Sequence, residues 1–137
     1  MVSNTGITIF NKVTDTKTRN EKLFKTLIPS ALFIEKESTV KSVSAVGMDS
    51  SDDVKIYITN ASIKGATKNF KRSKDVSDIN TQFTIQRGSI IVRGHIYHDV
   101  ESVAELEKNM DSVYVVTTVI HHDYGSENLR HIEIGAR

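Results

Sequence analysis

Few side chains in this sequence could do chemistry, and the histidines come first: His95, His98, His121, His122 and His131. A metal site needs three or four ligand atoms meeting at about 2 Å, held in turn by their own hydrogen-bond partners. His121 and His122 are neighbours, so on one strand their rings point to opposite faces and cannot share an ion without a bulge. His95 and His98 would converge only at a turn, and His131 would reach His121 only if their segments paired. The spacing fixes no ligand set, so packing or surface roles are expected and no metal is. Nucleophilic catalysis has no better footing. Cysteine is absent, which removes thiol nucleophiles, thiolate metal sites and disulfides together. No Gly-x-Ser-x-Gly elbow occurs, and Gly125-Ser126 reads as a turn. Gly88 and Gly94 flank a strand-like run, the wrong context for cradling phosphates. Asp52-Asp53 reads as a polar turn. The expectation is a chain with no catalytic residue, no cofactor and no enzymatic role.

Charge gives the stronger signal. Eighteen Lys and Arg face seventeen Asp and Glu, so the whole chain has almost no net field, unlike most free nucleic-acid binders. The signs are nevertheless segregated. Lys64, Lys68, Lys71, Arg72 and Lys74 occur without an intervening anion. Asp99, Glu101, Glu105, Glu107 and Asp111 occur with only Lys108 among them. Two readings stay open: a pair of solvated faces, or complementary patches that meet between copies. The basic run, with Phe70 inside it, would suit a phosphate backbone, and such contact is independent of base sequence and steep in salt.

The elements that must position these residues are mainly strands. Val54, Ile56 and Ile58 alternate with Lys55, Tyr57 and Thr59, as on a half-buried strand. Ser89-Ile90-Ile91-Val92-Arg93 is a buried-strand run between glycines. Ile7-Thr8-Ile9-Phe10 alternates, and Val113 to Val119 holds only Val, Tyr and Thr, all strand formers. Leu129 to Ile134 alternates again, and the turn chemistry of Asp123-Tyr124-Gly125-Ser126 predicts a hairpin with the preceding run. Leu23 to Ile34 contains the only proline, Pro29, which predicts an edge strand or a break. One helix is expected: Ser102-Val103-Ala104-Glu105 is a capping box, and Val103, Leu106 and Met110 form a short apolar stripe that must pack on the sheet. Asn60 to Gln82 reads as a long polar loop of the functional or disordered kind. At 137 residues one domain with one core is expected. No apolar run approaches the ~20 residues of a membrane helix and no signal-peptide pattern opens the chain, so a cytoplasmic product is expected.

Three stretches together carry a likeness. They are Ser30 to Ile58 with its Val46-Gly47 break, Phe83 through Gly88-Ser89 to Gly94, and Val116 through Asp123-Tyr124-Gly125-Ser126 to Gly135. In order and spacing the chain resembles, from about Ile7 to Gly135, the minor structural proteins of tailed phages of Gram-positive hosts, and is similar to head-closure (stopper) proteins. Where that family commonly has Gly-Asp before the Ile-Ile-Val strand, this chain has Gly88-Ser89. The resemblance implies a small antiparallel β-barrel with one short packed helix and long loops, a homo-oligomeric ring of six copies in the virion neck, and assembly in the host cytoplasm. Its partners would be the portal–adaptor complex, the tail proteins and, without base specificity, packaged DNA. Lys64 to Asn80, bearing Lys64, Lys68, Lys71, Arg72 and Lys74, is the candidate channel loop, and Glu35 to Asp53 a second. Glu101, Glu105, Glu107 and Asp111 are the candidate inter-subunit acidic patch. A tail-terminator ring and a free oligonucleotide-binding barrel are the alternatives.

Overall fold

The computed structural model describes residues 5–14, 17, 19, 21–35, 54–98, 100, 102–110, 112–126 and 129–137. The described residues form eight strands: β1 (Thr5–Thr14), β2 (Glu21–Glu35), β3 (Val54–Thr59), β4 (Asn69–Phe70), β5 (Gln82–Phe83), β6 (Ile90–Arg93), β7 (Val113–His122) and β8 (His131–Ala136). The described residues between them also form two short helices, α1 (Asn60–Lys64) and α2 (Val103–Asn109). Six strands are bonded in a closed ring, in the order β1-β2-β3-β8-β7-β6 and back to β1. Every neighbouring pair in it is antiparallel. A closed ladder leaves no unpaired edge to recruit another chain's strand.

Alternation decides what the ring encloses. Ile7, Ile9, Ile28, Phe33, Ile56, Ile58, Ile91, Ile132 and Ile134 point inward and form the larger core. On the opposite face of β1 and β6, Phe10, Ile90 and Val92 point outward into a second cluster with Ile96, Val100 and Leu106. This is why the Ile90-Ile91-Val92 run is apolar without a break: both of its faces are covered. Gly88 and Gly94 bracket it at φ 94° and 97°, a conformation open to glycine at little steric cost. Helix α2 supplies the outer cover. The Ser102 hydroxyl accepts the Glu105 amide, Leu106 is buried, and Val103 and Met110 pack beside it, as the capping box and stripe predict.

The predicted β7–β8 hairpin is present, and β3 alternates as expected. Two expectations are corrected. Pro29 does not break β2, which runs through it for 15 residues. The register with β1 shifts between the Ile28–Ile7 and Ala31–Thr5 pairs, so Pro29 lies in an irregularity where its missing N–H costs no regular ladder bond. At the same bulge, the His95 imidazole lies over Gly6 and its Nε2 bonds the Ile28 carbonyl at 2.8 Å. The second correction concerns 60–82. This stretch is not a structureless loop: it holds α1, β4, a 3₁₀ turn at Ser73–Asp75 and β5. Phe83 and Ile85 enter the larger core behind it, so the segment caps one end of the ring.

The cap is fastened by a buried amide. Asn11 of β1 is 3% exposed; its Nδ2 donates to the Thr84 carbonyl at 2.7 Å and its Oδ1 accepts the Thr84 amide at 3.3 Å. Asn11→Ala would strand both backbone groups in the interior, at a cost of about 2–4 kcal/mol. Urea denaturation should show that loss as a lowered midpoint with an unchanged slope; an unchanged midpoint would mean that water replaces the amide at no cost.

Candidate functional site

The capped end of the ring carries the predicted basic run, Lys64 to Lys74, and its geometry differs from a free loop's. Lys68 Nζ donates to the Ile79 carbonyl at 2.9 Å and lies 5.6 Å from the centre of the Phe24 ring. Burial lowers its affinity for a proton, which the Asp78 carboxylate partly offsets. Asp78 itself is held below the usual carboxylate range by the Asn80 amide and the Thr81 hydroxyl. The Gln82 side chain accepts from the amides of Ser77 and Asp78. Arg72 is ion-paired with Asp123 of the β7–β8 turn. Lys64, Lys71 and Lys74 are exposed. Of the five predicted cations, then, Lys68 is committed to the fold and Arg72 ties the cap to the hairpin.

Beside Arg72 lies a cleft of about 190 Å³. Its floor is apolar, made by Ile58, Ile63, Phe70 and Ile132. Its rim is polar: Asn60, Arg72, His121, Asp123, Arg130 and His131. Phe70 also lines an adjoining groove of about 540 Å³, with Asn60, Ile63, Lys64, Asn69, Lys71 and Gln82. Phe70 packs edge-on against Phe83 and 5.9 Å from His121. Helix α1 is positioned by the Thr59 hydroxyl, which accepts the Ser62 amide, and by Asn60 N–H bonding the Arg130 carbonyl.

The histidines separate as their strand positions require. His122 pairs across the hairpin with His131, not His121; their rings stack at 4.3 Å, and His122 Nδ1 bonds the Tyr124 hydroxyl at 3.0 Å. His131 therefore does not approach His121 in the way a shared ligand set would need. His95 serves Ile28, and the His98 carbonyl accepts from Lys25. Among the described residues, no group of three His, Asp or Glu is placed to hold a metal. No described helix is long and apolar enough to cross a membrane.

The acidic patch is described in part. Glu105 and Glu107 lie on α2, with Glu107 exposed, whereas Asp99, Glu101 and Asp111 fall outside the described residues, as do Asp52, Asp53 and residues 36–53 of the second candidate loop. Around the ring, α2 covers β1 and β6, and the strands opposite are β8 and β3. Among the described residues, no helix covers that far face. Its outward side chains form rows across four strands: Leu32, Tyr57, Glu133 and Ile120 in one, Ile34, Lys55, Gly135 and Thr118 in the next. Ile34 and Ile120 are each 47% exposed, and Lys55 lies 4.0 Å from Glu133. Sequence reasoning missed this face and Arg130. An isoleucine at an outward position of an alternating strand was the available signal for the first; nothing local marks the second.

The chain belongs to a family of unknown function, DUF6751, whose model matches residues 2–137. No curated protein and no solved structure matches it.

The cleft makes a pH prediction. Burial first, and the Arg72 guanidinium second, hold His121 below the ordinary imidazole value of 6.5, against the pull of Asp123. A depressed folded-state value means that the unfolded chain takes up the proton more readily. This contribution to stability is therefore complete above about pH 6.5 and lost as the pH falls below it. His121→Phe should flatten the fall in urea midpoint between pH 7.5 and 5.5; a slope equal to wild type would clear His121 of any part in it.

Proposed function

We propose that this chain is a structural ring subunit of a tailed phage's neck, of the head-closure type, docking between the portal–adaptor complex and the tail and sealing packaged DNA. We read the ring-bonded sheet with α2 outside it as the small barrel that such subunits resemble. The observation that carries the reading is the pairing of two unlike flanks. One is covered by an acidic helix; the other, directly across the ring, is sheet that no described helix covers, bearing Ile34, Tyr57 and Ile120 around Lys55. Unlike patches on opposite sides of a subunit are what a head-to-tail contact needs, and such contacts close into rings when the rotation permits. Apolar side chains with a central charge also suit a surface that must stay soluble until it is covered. Closure of the sheet supports the reading too, because subunits without free edges associate through side chains and keep a defined register.

The resemblance in strand order and spacing supplies the neck assignment, and the two flanks supply the assembly. The capped end, with Lys64, Lys71, Arg72 and Lys74, is the end we assign to the channel. The basic segment is packed against the ring, so on this reading the charge is presented on a fixed surface and not on a long arm.

The test is assembly on a purified portal–adaptor complex, followed by the mass of the product. The wild-type chain should add as a complete ring. Ile120→Asp and Tyr57→Asp should each abolish addition while leaving the thermal midpoint within a few degrees, since both side chains point outward. Lys55→Glu should weaken addition and be restored in part when Glu105→Lys and Glu107→Lys are combined with it. Wild-type addition by the Ile120 and Tyr57 variants would refute the flank assignment. Failure of wild-type chain to add at all would refute the neck reading.

A further inference from the structure

We propose that the cleft and groove on either side of Phe70 form a nucleotide site, with the phosphate at Arg72 and Arg130 and the base against Phe70. It relies on the ring reading only for its place in the channel, because binding is a property of the single chain.

The chemistry follows from what each compartment offers. The smaller cleft, about 190 Å³, is below the size of an ordinary ligand pocket but takes a phosphate group. Two guanidiniums line its rim against one carboxylate, leaving an excess positive charge. A guanidinium presents five N–H donors in a fixed fork, so Arg72 can hold Asp123 with one edge and retain donors for phosphoryl oxygens. The Asn60 side chain adds an amide at the same rim, and His121, kept neutral more readily than an exposed imidazole, adds little charge of its own.

The adjoining groove, about 540 Å³, is wide enough for a base. Phe70 lines both compartments, so a base in the groove and its phosphate in the cleft would span one aromatic ring. Stacking on an aromatic face tolerates any base. Asn69 offers an amide donor and acceptor to a base edge, Gln82, paired with it across β4 and β5, adds its amide nitrogen while its oxygen holds Ser77 and Asp78, and Lys64 and Lys71 suit a second phosphate. Such a ligand must be unpaired, as in a mononucleotide or a single strand, since a duplex buries its base faces.

Binding can be followed by fluorescence anisotropy with labelled ten-residue oligothymidine and, in a separate arm, by calorimetry with thymidine monophosphate. Arg72→Ala and Arg130→Ala should each weaken oligothymidine binding about tenfold and lower the salt slope by about one. Lys108→Ala, on α2 outside the ring, should not. Phe70→Leu should weaken both nucleotides while leaving the salt slope unchanged. The decisive variant is Asp123→Asn. It breaks the same tie between cap and hairpin as Arg72→Ala but removes an anion from the phosphate rim, so it should tighten binding. Loosening of the fold would make both variants weaker. Binding of oligothymidine alone places the source in a strand, and binding of the monophosphate as well places it in free nucleotide. Absence of both, equal binding of duplex, or parallel losses in Arg72→Ala and Asp123→Asn would overturn the site.

Discussion

The structure depends on closure of the strand ladder, and closure depends on β2 reaching two partners. Its first part pairs with β1, and its last residues, Leu32 to Glu35, pair with β3. A strand that serves two neighbours in succession must bend, and the irregularity around Pro29 provides the bend. Without it, β1 and β3 would not be joined through one strand. The ring would open, and Ile9, Ile28 and Ile56 would lose their shared interior. The bulge is also pinned from outside by His95 at the Ile28 carbonyl and by α1, whose C-terminal Gly65 lies close to the Pro29 ring. A proline that reads as a defect in one dimension is the corner of the fold in three.

Closure also sorts the surface into kinds. One flank is buried beneath α2, the opposite flank is sheet without a described helix over it, and one end is capped by residues 60–89. Each part has its own chemistry: acidic helix, apolar rows around a lysine, and a basic cap with an aromatic ring in it. Contacts between ring subunits would use the two flanks and nucleotide binding the capped end, so assembly and nucleotide binding do not compete for the same side chains. Arg72, which joins cap to hairpin through Asp123, is where the end of the ring and the hairpin are mechanically one piece.

What the sequence made legible was local. Alternation in Val54 to Thr59 and the doubly buried run at Ile90 to Val92 announce their strands, because side-chain direction in a strand follows directly from position. The capping box at Ser102 announces its helix because cap and stripe lie within eight residues. The misread places are those decided by distant partners. Pro29 signals a lost ladder bond in the sequence, but the register with β1 spares it that bond. Residues 60–82 were judged by their polarity, but Phe70, Phe83 and the Asn11 amide hold them to a core formed by strands far away in the chain. The cation run was legible as charge. Its division into Lys68, which bonds Ile79, and the exposed lysines was not, because no spacing rule says which long side chain finds a carbonyl. The hairpin pairs His131 with His122 and not His121, a register that turn chemistry alone does not fix, and in a strand one residue changes the face.

The contact of His95 with Gly6 binds three separated positions into a single requirement. A methyl group at position 6 would occupy the space of the imidazole, and a displaced imidazole would leave the Ile28 carbonyl without its donor beside the bulge. A relative carrying a larger residue at the first place should therefore carry a different one at the second, with some other donor reaching the same oxygen. Such linked change would be the trace left in descent by a corner that can be built in more than one way but not in halves.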